Sequence, residues 1–537
     1  MTAVAVPLRA SGGSRRFAGT GVLLRLALRR DRIMIPVWAL LLGGSFSSVA
    51  TSFASLYDTA AERAGLARSM SGNSSLRALY GPVFSDSVGG LTAWRMTAIG
   101  AALAAAMSLT IVVRHTREEE ETGRQELLSS AMVGRLAPLT AALLAALTAN
   151  AALASVTAAG LVGSGEPADG SVAAGLVVAG AGMLFACTAA IAAQLTESAR
   201  AAKGITASVI GAAFVLKAAG DASSDPGSSV LTWLSPIGWA ENIRAYAAER
   251  WWVLLILAAA VAVQAVLAFA LTGRRDVGMS FLPARPGPVR GRIGTAGALA
   301  WRLQRGSVIG WTAGFLTAGV VLGGIAGSAG DLVGDNEDAR EIFERMGGQS
   351  GLTDAFLAAM TGVLGVVAAL HIVASVLCLH AEETSQRAEP VLANAVGRLR
   401  WAAGHLVIAF AGSAAVMLAG GAGLAVGYGH RPAAVIGAAL VQVPAVWTIG
   451  GLAVLLYGAV PKAAVAAWGV AGLVLALGWF GPALNVPQPV LDLSPYGHLP
   501  KLPGGEMVWT PVAVLLLIAA AMVAGGLTGL RRRDMSS

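Results

Sequence analysis

Charged side chains that could recognise a partner are concentrated in two stretches, residues 114–136 and 380–399. The first holds five glutamates and four arginines, although only 13% of the chain is charged. Carboxylates and guanidinium groups at helical spacing form ion pairs, either with one another or with the surface of another protein. The chemistry is therefore recognition by charge, and no bond-making step is implied. The positions charged in both stretches are Glu119, Glu120, Arg124, Glu126, Glu382, Glu383, Arg387 and Glu389.

Both stretches are predicted to be helical, because most of their residues favour helices. Glu120 precedes Arg124 by four residues, which is the favourable order for an ion pair on one helix face. The same spacing recurs at Glu383 and Arg387. Each helix is expected to continue the apolar segment before it. Two interpretations remain open: a solvated helix with its own ion pairs, and a helix that docks a separate protein. Docking is favoured, because the charged positions recur while their neighbours differ.

Signatures of catalysis and of metal binding are absent from the sequence. None of the four lysines follows a glycine, so there is no phosphate-binding GxxxxGK[ST] loop. The six histidines are scattered, and Cys187 and Cys378 both lie in apolar runs, which argues against a metal site. We therefore expect no catalytic residue, no metal site and no cofactor bound by this chain.

Apolar runs of about 20 residues recur along the chain and match the hydrocarbon thickness that a helix must cross. Hydrophobic residues make up 55% of the sequence, and the mean hydropathy is +0.68. The predicted fold class is an all-α polytopic membrane protein with about 12 transmembrane helices. The expected spans are residues 33–55, 92–113, 137–163, 172–195, 203–220, 251–273, 307–328, 357–379, 401–427, 434–457, 462–481 and 509–530.

Basic residues flank the apolar runs in three places: residues 1–32, residues 274–305 and the tail that begins at Arg531. Because basic segments stay on the cytoplasmic side during insertion, both termini and the middle of the chain are expected in the cytoplasm. The net charge of +8 is spread over these membrane-flanking segments. It does not form a single basic face, so nucleic acid is not an expected partner and membrane lipid is.

The two charged stretches belong to a longer internal repeat. Eight of the 18 residues in 119–136 recur at a shift of 263, "LSPIG" at 234–238 matches "LSPYG" at a shift of 259, and "RRD" at 274–276 recurs at 258. Each set of spans starts and ends inside, so the sets are expected to be tandem six-helix repeats that form a pseudo-dimer. The predicted organisation is a first six-helix half at 1–276, a cytoplasmic linker at 277–300 and a second six-helix half at 301–537.

The stretch "EEETGRQELLSS", followed by "GR", resembles the cytoplasmic signature of ABC exporter permeases. The whole chain resembles the duplicated actinobacterial permeases of multidrug and polyketide-antibiotic exporters, which the motifs "RRD", "AWRLQRG" and the duplicated "LSPxG" also fit. The resemblance implies a multi-pass subunit in a bacterial plasma membrane that expels hydrophobic drugs or antibiotic-like molecules. It also implies two copies of a separate ABC ATPase subunit, which hold ATP and Mg²⁺ and dock on residues 114–136 and 380–399.

The same resemblance assigns roles to residues. The charged positions of each stretch would contact one ATPase subunit. Gln386 replaces Gly123 and Pro390 replaces Leu127 in the second copy, so the two docking sites are not expected to be equivalent. In related exporters the second and fifth spans of each half line the substrate cavity. The candidate cavity residues are Met107, Phe214, His371 and Trp468.

Two other functions fit the same architecture. One is an ABC permease for a lipid or glycan precursor. The other is a proton-driven secondary exporter, which needs an ionisable group inside the membrane. The central parts of the predicted spans hold no aspartate or glutamate, and His371 is the ionisable group at depth. We expect His371 to form a hydrogen bond between helices rather than to relay protons.

Overall fold

The computed structural model of the chain is built from α-helices and short 3-10 turns in the residues that it describes. It divides into two compact units, Met1–Pro286 and Gly287–Ser537, and the division falls in a proline- and glycine-rich segment that does not favour a helix. Of the predicted linker 277–300, residues 277, 283–290 and 292 lie outside the described part. The described residues are 16–72, 74–129, 133–223, 229–276, 278–282, 291, 293–326, 351–394, 396–480 and 493–534.

Within its described residues, the first unit contains six long helices, and short helices lie between them. The long helix α5 begins at Val88, where the Ser87 hydroxyl accepts a hydrogen bond from the Gly90 amide at 3.0 Å and so satisfies a free amide of the first turn. The helices are α1 (Thr20–Arg30), α2 (Met34–Leu56), α3 (Ala60–Gly72), α4 (Ser74–Tyr80), α5 (Val88–Arg114), α6 (Arg117–Glu121), α7 (Arg124–Ser129), α8 (Ala137–Gly163), α9 (Ala168–Leu195), α10 (Ala199–Ser223), α11 (Val230–Leu234), α12 (Pro236–Asn242) and α13 (Trp252–Arg274).

The second unit has the same succession of long helices in its described residues. Its fourth long segment is interrupted at Gln442, just before Pro444, because proline cannot donate the backbone hydrogen bond of a continuous helix. The helices are α14 (Ala296–Ala326), α15 (Leu352–Thr384), α16 (Glu389–Leu392), α17 (Arg398–Tyr428), α18 (Pro432–Val441), α19 (Val443–Ala459), α20 (Ala466–Phe480) and α21 (Trp509–Arg532), with 3-10 turns at Pro461–Ala463 and Pro495–His498.

Eleven helical segments of the described residues are long and apolar enough to cross a membrane, so the chain is a multi-pass membrane protein. They correspond to eleven of the twelve predicted spans, and the predicted span 137–163 coincides with α8. The remaining prediction, 462–481, corresponds to α20, which has only 15 residues. It ends next to residues 481–492, which lie outside the described part.

Small residues allow close packing within each unit. In the first unit, α9 is buried along most of its length against α5 and α8, and the Asn150 side chain of α8 donates to the Ser108 hydroxyl of α5 at 2.8 Å. In the second unit, α14 and α17 touch backbone to backbone. A Cβ atom added at Gly319 would lie 2.3 Å from the carbonyl oxygen of Gly420, so only glycine fits there. These contacts bury polar backbone and side-chain groups away from the lipid-facing surface.

Candidate functional site

The acidic stretch of the first unit follows α5 after a short break. Asp31, which is fully buried after α1, binds both residues at the end of α5: Arg114 at 2.6 Å and His115 at 2.6 Å. The chain turns at His115 and Thr116 before α6 begins. The acidic helix nevertheless continues the second span as expected, since Val88–Glu121 forms one membrane-length helical segment of 34 residues with a two-residue irregularity at His115 and Thr116.

A bidentate ion pair lies at the centre of this region. Glu120 of α6 binds Arg275, which follows α13, through two contacts of 2.6 and 2.8 Å. Arg275 also donates to the side-chain oxygen of Gln194 at the end of α9, at 3.0 Å, and its carbonyl accepts from Arg135 at 2.7 Å. Arg117 forms a further ion pair with Glu120. This first cluster joins the ends of four long helices through charge-assisted hydrogen bonds.

A matching arrangement exists in the second unit. Glu383, near the end of α15, binds Arg533 after α21 through two contacts of 2.6 and 2.7 Å. The hydroxyl of Tyr457, near the end of α19, donates to Glu383 at 2.6 Å, and Arg398 donates to the carbonyl of Arg533 at 2.7 Å. The hydrogen bond with Glu383 raises the pKa of Arg533, so this guanidinium stays charged. The second cluster therefore also joins four helix ends.

The two clusters use residues that the sequence repeat pairs with one another. Glu383 follows Glu120 by 263 residues, and Arg398 follows Arg135 by the same shift. Arg533 follows Arg275 by 258, the shift of the repeated "RRD" motif. The same contacts thus recur at equivalent positions, in a part of each unit where side-chain exposure is low. The side chains of Glu120 and Glu383 are 11% and 2% exposed.

Each of the other three glutamates of α6 reaches a different segment. Glu118 forms an ion pair with Lys203 of α10, and Glu119 forms one with Arg30 of α1. The carboxylate of Glu121 accepts a hydrogen bond of 3.0 Å from the first amide of α10, at Ala199. The run of four glutamates is therefore explained by four separate attachments within the unit, and not by one exposed acidic face.

The helix that carries the acids ends at the same place in both units. Gly123 has φ of 70° and Gln386 has φ of 57°, so both backbones enter the left-handed region at equivalent positions. That conformation ends a helix, and glycine adopts it without the steric cost that glutamine bears. The expectation of one continuous docking helix in each stretch was therefore wrong. Residues 130–132 and 395 of these stretches lie outside the described part.

The turn also changes the predicted ion pairs. Arg124 binds Glu119 at 3.4 Å instead of Glu120, and Arg387 binds Glu382 at 3.1 Å instead of Glu383. Because the acid-bearing helix ends three residues before each arginine, the guanidinium folds back onto the carboxylate five residues earlier. The expected spacing of four was wrong in both units, and for the same reason.

Four of the predicted docking residues remain accessible. The side chains of Arg124 and Arg387 are 53% and 58% exposed. Glu126 of α7 and Glu389 of α16 are also exposed, and no ion pair joins either to another residue in the part of the chain that the structure describes. Glu119, Glu120, Glu382 and Glu383 instead face the interior of their units. The accessible charges thus lie just beyond the buried clusters.

Comparison with known proteins identifies the family. Residues 293–531 match the family described as "Multidrug efflux system permease Rv1217c, C-terminal domain". The chain is 44% identical to the multidrug efflux system permease protein Rv1217c of Mycobacterium tuberculosis (strain ATCC 25618 / H37Rv) over 544 aligned residues, which cover 98% of this chain and 97% of that protein. The chain belongs to the family of multidrug efflux system permeases. The predicted resemblance to ABC-type efflux permeases is confirmed at this level.

The candidate cavity residues of this permease have different surroundings. Met107 of α5 and His371 of α15 are fully buried, Phe214 of α10 is half-buried, and Trp468 of α20 is 42% exposed. Neither ring nitrogen of His371 has a hydrogen-bond partner among the described residues, and its ring lies 5.5 Å from that of Trp311 in α14. The expected hydrogen bond between helices was wrong, and the contact is an aromatic one.

The structure also contains a buried charged cluster that the sequence did not indicate. The ammonium of Lys217, in α10, lies 2.7 Å from a carboxylate oxygen of Glu241 in α12 and 3.4 Å from one of Asp221. Asp221 also accepts from the hydroxyl of Thr232 at 2.7 Å. Burial raises the pKa of Glu241 well above its ordinary value, and the charge of Asp221 acts in the same direction. The spacing of four between Lys217 and Asp221 was the one sequence signal for it.

Proposed function

We propose that this permease is the membrane-spanning subunit of an ATP-driven ABC exporter for hydrophobic drugs or antibiotic-like molecules. The name of the Mycobacterium tuberculosis relative, a multidrug efflux system permease, supports this substrate class. Two copies of a separate ATPase subunit dock on residues 114–136 and 380–399. The observation that best supports this proposal is the position of four exposed charged residues. Arg124 and Glu126 follow the first buried cluster, and Arg387 and Glu389 follow the second, which has the same central Glu–Arg pair.

The nucleotide belongs to the partner in this proposal. The sequence has no GxxxxGK[ST] loop, so the permease carries no phosphate cradle of this type and has no catalytic role of its own. ATP and Mg²⁺ are held by the ATPase subunits, and this chain binds no cofactor. Two docking stretches in one chain fit two ATPase copies.

The architecture that goes with this function is a tandem duplication with 12 spans, in which α20 supplies the twelfth. The first half is 1–276, the linker is 277–300 and the second half is 301–537. The recurrence of the Glu–Arg clusters at the shifts of the sequence repeat supports the duplication. The arginines beside both clusters and near both termini support a cytoplasmic location for both termini in a bacterial plasma membrane.

The clusters suggest how movement reaches the membrane. Closure of the ATPase pair displaces the exposed segments α7 and α16. The Glu120–Arg275 and Glu383–Arg533 pairs make each segment move together with the ends of the second, fourth and sixth long helices. Bidentate pairs are directional, so they pass on a displacement better than a single flexible contact.

The test uses the exposed glutamates, because reversal of a buried one would disturb folding. In the double variant Glu126→Lys and Glu389→Lys, recovery of the ATPase subunit with the purified permease is expected to fall by at least about tenfold. The reason is that the new lysines would face the basic side chains of the ATPase subunit with which the glutamates pair in this proposal. Asp58→Lys is the matched control: it reverses an exposed carboxylate after α2, away from the end that Asp31 holds. Elution of all three proteins as single species shows that they are folded. Normal ATPase recovery and ATP-dependent drug transport in the double variant would contradict the proposal.

A proton-driven exporter is the second candidate, and the cluster of Lys217, Asp221 and Glu241 favours it, because it supplies the buried carboxyl groups that such transport requires. Transport in vesicles separates the two mechanisms. For an ABC exporter, drug uptake should require ATP and should persist when a protonophore is added. Drug uptake that proceeds in the absence of ATP and is abolished by a protonophore would support the proton-driven mechanism. Labelled lipid and glycan precursors, used in the same vesicles, test the remaining alternative.

A further inference from the structure

The fifth long helix of the first unit is attached to the acidic helix at two points. Glu118 of α6 pairs with Lys203, in the second turn of α10. Glu121 of α6 accepts the amide hydrogen of Ala199, the first residue of α10. A carboxylate at this position satisfies a backbone donor and also interacts favourably with the positive end of the helix dipole. The start of α10 is therefore fixed to α6 from two sides.

The second unit has no counterpart of these two attachments in its described residues. At the shift of 263, alanine occupies position 381 and threonine position 384, so both carboxylates are missing. Lys462 follows Lys203 by 259 residues, the shift of the repeated "LSPxG" motif. Lys462 is exposed, lies in a 3-10 turn, and pairs with no carboxylate in the described part of the chain. The lysine thus recurs, but among the described residues its carboxylate partner does not.

The central Glu–Arg pair is the same in both units, although its surroundings differ. Both central glutamates bind an arginine after the sixth long helix, and both clusters include a side chain from the end of the fourth. The fifth helix also starts differently. In the first unit α10 begins at Ala199 against Glu121, while α20 begins at Ala466, four residues after Lys462.

We infer that the two halves transmit docking unequally: the first half couples its fifth helix to the acidic helix through Glu118 and Glu121, while the second half, whose fifth helix packs against α15, lacks these two polar contacts in its described residues. This inference rests on the proposed function, since it concerns the same docking movement. Glu118, Glu121 and Lys203 act as positioning residues. Their ion pair is partly exposed, with side chains 32% and 41% accessible, so its loss costs little stability and changes mainly how α10 follows α6.

The test compares the two equivalent lysines in the full chain with its ATPase, in proteoliposomes. The quantity measured is the amount of drug transported per ATP hydrolysed. Lys203→Ala is expected to lower this ratio about threefold or more, with ATPase recovery unchanged, because coupling between the sites is weakened while docking is kept. Lys462→Ala is expected to leave the ratio at the wild-type value. The charge swap Glu118→Lys with Lys203→Glu is expected to restore it.

Equal ratios in Lys203→Ala and Lys462→Ala would overturn the inference, and so would a swap that restores nothing. A general structural defect is recognised by a lower thermal unfolding temperature together with a lower ratio, which the charge swap would then share. The proposed function fails separately, at the wild-type stage. If wild-type transport does not depend on ATP, no ratio exists for any variant, and the proton-driven alternative replaces both proposals.

Discussion

The first and second clusters have the same centre and different surroundings. In each, a glutamate at or just beyond the end of the second long helix forms a bidentate pair with an arginine after the sixth. Around this centre the first unit adds Arg117 and three more glutamates, whereas the second adds Tyr457. The acidic stretch therefore has two structural roles. Both are present in the first unit, and only one of them is present in the described part of the second. The central pair holds the helix ends together, and the outer glutamates attach further segments.

Removal of the central glutamate is expected to have the largest effect and to be larger in the first unit. Glu120→Ala leaves two arginines, Arg117 and Arg275, without their carboxylate, while Glu383→Ala leaves one, Arg533. A buried charge that loses its partner costs about 3–5 kcal/mol of unfolding free energy. Thermal unfolding in detergent measures the order of the two losses. Glu126→Ala, in an exposed position, is the control and should change stability by less than about 0.5 kcal/mol. A greater loss for Glu383→Ala would refute the comparison.

The buried cluster of the first unit gives the next largest effect and depends on pH. Lys217→Met leaves the carboxylates of Asp221 and Glu241 without a cation, at a cost of about 3 kcal/mol near neutral pH. The raised pKa of Glu241 means that the folded chain holds this proton more tightly than the unfolded chain. The contribution of Glu241 to the unfolding free energy is therefore fully present at acidic pH. It is lost as the pH rises from the ordinary pKa of glutamate to the raised pKa of Glu241 in the folded chain.

Stability against pH checks this sign. The loss in Lys217→Met is expected to shrink at acidic pH, because Glu241 is then neutral and needs no cation. Glu241→Gln removes the titrating group, so its stability should vary less with pH than that of the wild type. The second unit is the internal reference, since Pro500 occupies the position equivalent to Glu241 in the repeat of "LSPIG" and "LSPYG". A loss in Lys217→Met that grows as the pH falls would contradict the assignment.

The helix ends provide the smallest effect and the closest comparison. Gly123 and Gln386 have the same left-handed backbone, which is strained only for glutamine. Gln386→Gly is therefore expected to raise the unfolding free energy by about 0.5–1 kcal/mol, and Gly123→Gln to lower it by about 1 kcal/mol. Unfolding temperatures of the two single variants measure both changes. If both substitutions destabilise the chain, glutamine at 386 has a side-chain contact that outweighs the backbone strain.

The long helices could be predicted from the sequence because one property decides them. Apolar length against membrane thickness gave eleven of the predicted spans, including α8 within the bounds expected for it. The repeat shifts also paired the residues that form the two clusters. Position along the chain was thus sufficient for the helices and for the equivalence of Glu120 with Glu383.

The direction in which the charges point could not be predicted in the same way. Spacing within the acidic stretch tells which glutamates share a helix face, and it does not tell whether that face meets solvent or another helix. The partner of Glu120 comes 155 residues later in the chain, and that of Glu118 comes 85 residues later. Local pairing rules therefore favoured Arg124 as the partner of Glu120. In the structure, Glu120 pairs with Arg275 and Glu118 pairs with Lys203.

Site-specific photo-crosslinking in membranes determines whether the ATPase subunit binds beside the two clusters. Photoreactive residues replace Glu126, Glu389 and, as the matched control, Asp58. ATPase adducts are expected from positions 126 and 389 and none from position 58, because the buried clusters hold the first two at the proposed docking surface. Absence of adducts at 126 and 389, or adducts of equal yield at 58, would contradict the proposed docking.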